Sequence, residues 1–146
     1  MKSVVLDTNV LLDIFVFNDF RAVHLKQALI DRQVDTLATS KTLEEFADVI
    51  SRPLFCLEQE VQDRILSQWH SIARVLDDET LLIAPWQCQD PDDQVFLNLA
   101  YTAKPSLLIS KDNEVLKLAN RAMKEGLLIT SDYSTIVGYM PCSKNL

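Results

Sequence analysis

The sequence predicts an α/β fold, with a central parallel sheet covered by helices on both faces. Three observations carry this. Short apolar runs recur without polar alternation, as in SVVL at 3–6, SLLIS at 106–110 and LLIT at 127–130. That is the pattern of strands buried on both faces. Helical periodicity fills the stretches between such runs nearly from end to end. Only two glycines interrupt the 146 residues, and no repeat, low-complexity tract or linker divides them. Residues 1–146 therefore read as one domain.

The elements follow in order. Residues 3–6 form a strand that ends at Asp7, and 8–16, apolar almost throughout, form a largely buried helix. A second helix runs over 23–30, and 34–38 is a β-rich run. Ser40 is placed to cap a helix carrying Leu43, Phe46, Ala47 and Ile50 at helical spacing, which Pro53 closes. Over 57–76, Leu57, Val61, Ile65, Trp69, Ile72 and Leu76 share one face and predict a long amphipathic helix. Residues 80–84 (TLLIA) predict a strand and 85–92 a polar loop. A helix at 94–103, a strand at 106–110 and a helix at 113–124 come next. Gly126 serves as the C-cap glycine before a last strand at 127–130.

Net charge is −7, which excludes an architectural nucleic-acid binder, whose affinity comes mainly from Lys and Arg. An enzyme that meets phosphates through divalent metal ions is not excluded, because such a site needs carboxylates. No apolar run is long enough to cross a membrane, and the N-terminal apolar stretch holds Asp7 and Asp13, unlike a signal peptide. A cytoplasmic protein is expected. Cys56, Cys88 and Cys142 are odd in number and widely spaced, the usage of free, mostly buried thiols in a reducing compartment. His24 and His70 lie on helices without ligand-like partners and read as surface or boundary residues.

Sites in open parallel sheets form beyond the carboxyl ends of the strands. Asp7, Asp112 and Asp132 each fall just after a strand, and Asp90, Asp92 and Asp93 lead into a helix. Any one Asp before a helix is ordinarily an N-cap. Caps alone do not account for so many acids at one sheet edge, where they repel unless cations intervene. Oxygen-only ligands favour Mg²⁺ or Mn²⁺ over Zn²⁺.

Taken together, VLDTNVLLDIF, TLEEFADVISRPLF, DPDDQVFLNLA and LLISKDNEVLKL resemble the successive motifs of PIN-domain nucleases. The nearest variety is the group of toxin components of toxin–antitoxin pairs. The resemblance implies a three-layer α/β/α sandwich with a central parallel sheet and Mg²⁺- or Mn²⁺-dependent RNA cleavage. It implies four catalytic and metal-ligating acids, Asp7, Glu45, Asp93 and Asp112, with Asn9 and Ser110 in support. It also implies an RNA substrate, an antitoxin protein as partner and a homodimer.

Within this pattern, Glu44 and Glu45 compete for the second acid. On a helical wheel Glu45 lies about 40° beyond the apolar arc and Glu44 about 60°, which favours Glu45. Asp90 and Asp92 rival Asp93, although a residue at the helix start is better aimed at the sheet edge. Lys111 stands where the family usually has Gly, either to contact a substrate phosphate or to point into solvent. Asp132 is either a fifth site carboxylate or a plain turn former. Arg21, Lys26, Lys41, Arg52 and Lys111 are the candidate RNA contacts. The expected chemistry is in-line attack of water on phosphorus, leaving 5′-phosphate and 3′-hydroxyl ends. The rivals are a non-catalytic PIN-like binding module and a phosphatase with Asp7 as nucleophile. Asn9 stands where haloacid-dehalogenase-like phosphatases place a second Asp, which weighs against the latter.

Overall fold

A computed structural model describes residues 1–139. The chain runs β1 (Ser3–Leu6), α1 (Thr8–Phe15), α2 (Val23–Ile30), β2 (Asp35–Thr39), α3 (Ser40–Ile50), α4 (Gln59–Ile72) and β3 (Arg74–Leu76). It continues through α5 (Pro91–Thr102), β4 (Ser106–Ile109), α6 (Asn113–Leu116), α7 (Ala119–Met123) and β5 (Leu127–Thr130). All five strands pair in parallel, in the order β3-β2-β1-β4-β5.

The sheet separates two apolar cores, because successive side chains of a strand face opposite ways. Val4, Leu6, Leu107 and Ile109 face α1 to α4 and the 3₁₀ turn at Tyr133–Tyr139. Val5, Leu37, Leu108 and Ile129 face α5, α6 and α7. This is the three-layer sandwich that the resemblance implied.

The differences from the sequence reading have local causes. The helix predicted over 57–76 stops at Ile72, and Arg74–Leu76 joins the sheet as its edge strand beside β2. The apolar spacing runs on through the strand, so periodicity alone does not mark the change. Trp69 is 2% exposed and packs against Phe15, with ring centroids 6.0 Å apart, so that face belongs to the core. The predicted strand at 80–84 does not form. The Leu82 N–H donates to Thr102 Oγ1 at 2.8 Å and the Ala84 N–H to Asn98 Oδ1 at 2.9 Å. Side chains of α5 thus take the donors that a ladder would use.

Helix α5 starts at Pro91, three residues earlier than predicted. Asp90 caps it by accepting from the Asp92 N–H at 2.9 Å, and proline suits the first helical position. Helix α3 is capped by Thr39, not Ser40: Thr39 and Thr42 exchange side chain-to-backbone bonds in a reciprocal box. The predicted 113–124 helix is two short ones. The Leu118 N–H reaches back only to Val115 O, and this tighter turn keeps Val115, Leu118 and Ala122 all buried. Gly126 does adopt the left-handed conformation, at φ +84°. Cys56 is exposed, contrary to the expectation of mostly buried thiols, because it ends a 3₁₀ turn in the left-handed region. Cys88 is half-buried, and Cys142 lies outside the described residues. Among the described residues no helix is long and apolar enough to cross a membrane.

Candidate functional site

The chain winds outward from β1 to β2 and β3, then returns to place β4 on the other side of β1. The strand order therefore reverses between β1 and β4, and a crevice opens beyond their carboxyl ends. Asp7 stands at the end of β1 and Asp112 just beyond β4. Asp93 lies in the first turn of α5, which packs across β1 and β4, and Glu45 lies in the second turn of α3.

Asp7 is 4% exposed and its two carboxylate oxygens are separately held. Oδ1 accepts from the Thr8 N–H at 2.7 Å and Oδ2 from the Ser110 hydroxyl at 2.6 Å. Burial pushes this carboxyl above the ordinary range, the two hydrogen bonds oppose that, and the charges of Asp112 and Asp90 add to it. Ser110 is fully buried, and its oxygen also accepts from the Asp112 N–H at 3.0 Å. The hydroxyl thus ties the acid after β1 to the acid after β4. Asp112 in turn caps α6 by accepting from the Glu114 N–H at 2.8 Å. Cap and site carboxylate are here one residue.

Asp93 is pushed up to about 7. The causes are burial first, then a hydrogen bond with Asp112 that its protonated form makes, then the charges of Asp7, Asp112 and Asp90. Glu45 Oε2 accepts from the Thr8 hydroxyl at 2.7 Å. Its carboxyl is raised by burial, opposed by that bond, with further upward pressure from Asp92, Asp7 and Asp90. Glu44, its neighbour, is exposed. Both glutamates line an open cleft of about 340 Å³ with Lys41, Thr42, Asp48, Asp92 and Val95. Asp90 caps α5 and Asp92 is exposed, whereas Asp93, also in the first turn, is half-buried, and the charges of Asp7 and Asp112 press on its carboxyl.

The supporting residues divide. Asn9 Oδ1 accepts from the Lys111 N–H at 3.3 Å and so steadies the loop before Asp112. Lys111 is exposed but does not stand alone: its ammonium donates to Asp13 Oδ2 at 2.8 Å, and the Tyr133 hydroxyl donates to the same oxygen. Asp132 is exposed and acts as a turn former. Its Oδ1 accepts from the Ser134 N–H at 2.9 Å and hydroxyl at 2.7 Å, and these bonds hold its carboxyl below the ordinary range. Arg21 and Arg52 are paired with Asp19 and Asp48. His24 and His70 are exposed.

Three residues escaped the sequence reading. Thr8 positions Glu45, and its only signal was its place between Asp7 and Asn9. Asp13 is a carboxylate inside an apolar helix, a position that demands a buried partner. Cys88 brings its sulfur to 3.9 Å from Asp93 Oδ2, its thiol pushed up chiefly by burial; nothing in the sequence marked it.

The donor chemistry fits a hard divalent cation. Asp7, Asp93, Asp112 and Glu45 offer oxygen alone, and the Asp93 carboxyl is pushed up by burial first and then by Asp112 and Asp7. Among the described residues, no three Asp, Glu, His or Cys side chains stand close enough to hold an ion as they are placed. With both histidines exposed and the Ser110 hydroxyl engaged with Asp7, the site has, among the described residues, no paired nucleophile and base of the Ser–His kind.

A family model described as a PIN domain matches residues 3–114. No curated protein matches the chain in sequence. Among solved structures the chain is similar to VapBC2 from Rickettsia felis, bound to a DNA fragment from its promoter. That likeness has 14% identity and a TM-score of 0.57 over 87% of this chain and 96% of that one. At such identity it speaks for the fold.

Proposed function

The chain belongs to the PIN-domain family, and from that premise we propose that it is a Mg²⁺- or Mn²⁺-dependent ribonuclease, the toxin component of a toxin–antitoxin pair. The observation that carries the reading is the placement of Asp7 and Asp112 at the switch between β1 and β4, tied to each other through Ser110, with Asp93 bonded to Asp112 from the start of α5. Asp7, Asp93, Asp112 and Glu45 are the proposed metal-binding and catalytic residues. A divalent cation held there would supply activation of water and charge neutralisation at the phosphate and the leaving oxygen. The protein's part is to keep its acids in register. Ser110 and the Thr8 N–H fix Asp7, the Thr8 hydroxyl aims Glu45, and the cap on α6 fixes Asp112. Asn9 and Lys111 steady the loop beside them.

Asp7 is poorly suited to be a covalent nucleophile, since it is buried and both of its oxygens are engaged. That favours hydrolysis over an Asp-based phosphatase mechanism. The similar structure is VapBC2 bound to promoter DNA, which supports an antitoxin partner, and the proposal includes a cytoplasmic setting. The proposal includes a homodimer, for which light scattering at micromolar concentration should give twice the 16.6 kDa of one chain.

The test is cleavage of 5′-labelled single-stranded RNA by the full chain with and without Mg²⁺, with product ends mapped. Cleavage that needs metal and leaves 5′-phosphate ends supports the reading. RNA binding without cleavage points to a binding module, and release of phosphate from a monoester without RNA cleavage points to a phosphatase.

A further inference from the structure

A second cavity, of about 370 Å³, opens beside the acids at the carboxyl ends of β4 and β5. It is lined by Arg21, Lys111, Ser131, Asp132, Tyr133 and Ser134, and its volume is within the range of small-molecule sites. Lys111 is the chain neighbour of Asp112, so the cavity adjoins the proposed catalytic edge. The Asp7 position at the end of β1 is two strand spacings from β5, on the order of 10 Å. A nucleotide next to the scissile phosphate would reach it.

Charge decides what fits. Lys111 is paired with the buried Asp13 and Arg21 with Asp19, so Asp132 leaves the cavity acidic on balance. A bare phosphate is disfavoured there, whereas a neutral group with separate donor and acceptor edges is suited. Among the described residues Asp132 uses only Oδ1, for Ser134, which leaves Oδ2 as an acceptor. Opposite in kind, Lys111 spends one of its three donors on Asp13, and Arg21 engages Asp19 through Nε and Nη2, leaving Nη1.

We infer that this cavity is a nucleobase subsite with a preference for guanine, read by Asp132 together with Arg21 and Lys111. Guanine places two adjacent N–H groups, N1 and N2, on one edge and the O6 and N7 acceptors on another. The first edge suits a carboxylate and the second suits cationic donors. Adenine and cytosine set a ring lone pair next to their amino group, and uracil flanks its one N–H with carbonyls. Each of these turns an acceptor toward Asp132. The buried Asp13, with Tyr133 on the same oxygen, is a positioning residue that fixes where the Lys111 donors point. The inference relies on the ribonuclease reading only for the polymer involved.

The test is fluorescence anisotropy of the full chain with labelled uridine tracts carrying one central G, A or inosine, in EDTA and at fixed salt. The G-containing RNA should bind about tenfold tighter than its A counterpart, the lower range of what one bidentate base contact discriminates. Inosine, which lacks the N2 amino group, should lose part of that advantage, and Asp132→Asn should erase the difference between G and A. Equal binding of all three RNAs, no RNA binding, or a G preference that survives Asp132→Asn overturns the inference. The two readings fail separately. A G preference abolished by Asp132→Asn, in a protein that never cleaves RNA with Mg²⁺, keeps the subsite and removes the nuclease. Metal-dependent cleavage with indifferent binding does the reverse.

Discussion

Ser110 and Asp7, 103 residues apart in sequence, meet at 2.6 Å, the serine hydroxyl donating to the carboxylate while its oxygen accepts from the Asp112 N–H. One hydroxyl therefore supports both an almost fully buried acid and the backbone of a second.

From this follows a prediction for Ser110→Ala. The substitution leaves Asp7 Oδ2 buried without its donor, a loss of about 1–3 kcal/mol. Chemical denaturation should show it as a lower midpoint with an unchanged slope. Metal-dependent cleavage should fall as well, because Asp7 and Asp112 lose their common tie. An unchanged midpoint would mean that water replaces the hydroxyl and that the tie is dispensable.

Metal binding should register in stability. Mg²⁺ or Mn²⁺ that binds the folded chain alone stabilises it by about 2.7 kcal/mol at 100 times the dissociation constant. Asp93→Asn should lose most of that gain, since it removes one of the packed acids. Thermal melts with and without saturating Mn²⁺ measure both effects. A melting temperature indifferent to Mn²⁺ would sink the metal site.

How far the sequence carried this depends on range. The strands at 3–6, 106–110 and 127–130 were legible because burial on both faces makes them apolar without alternation. Strand β3 was not, since its three residues continue the apolar spacing of α4 and only pairing with β2 makes them extended. The converse error at 80–84 arose because Asn98 and Thr102, well downstream, claim that segment's N–H groups. The acids at strand ends were visible from position alone. Their ties were not: Thr8 with Glu45, and Asp13 with Lys111 and Tyr133, depend on contacts across 37 to 120 residues. Of the two glutamates that the helical wheel compares, Glu45 is the half-buried one and alone meets Thr8.

The pH dependence of the metal-free protein has a definite sign. The Asp93 carboxyl has a folded value of about 7 against an ordinary 3.8, so between these the folded state holds a proton that the unfolded state has lost. Stability therefore falls as pH rises from about 4 toward 7, and the raised Asp7 and Glu45 carboxyls push the same way. Melting temperature in EDTA should drop between pH 5 and 8. Asp93→Asn should flatten that slope, and metal should restore stability most at the alkaline end. A melting temperature that rises over this interval, or a slope untouched by Asp93→Asn, would contradict the packing of charge at the site.

Catalysis chooses among the acids. Asp7→Asn and Asp112→Asn should each abolish Mg²⁺-dependent RNA cleavage, because neither isosteric amide keeps the charge that holds a cation. A loss of at least about 100-fold, on the order of 2.7 kcal/mol of transition-state stabilisation, is expected for each. Glu45→Gln should behave likewise, since the hydroxyl of Thr8, the chain neighbour of Asp7, holds that side chain, whereas Glu44→Gln should stay within about twofold, as suits an exposed helix position. Asp132→Asn should fall between these limits, because it reads a neighbouring base and binds no metal. Circular dichroism separates misfolding from lost chemistry in every variant. If Glu44→Gln kills activity and Glu45→Gln does not, the second acid is displaced by one residue and the Thr8 contact is structural. If none of the substitutions matters, the cleavage belongs to a contaminant and the nuclease reading falls.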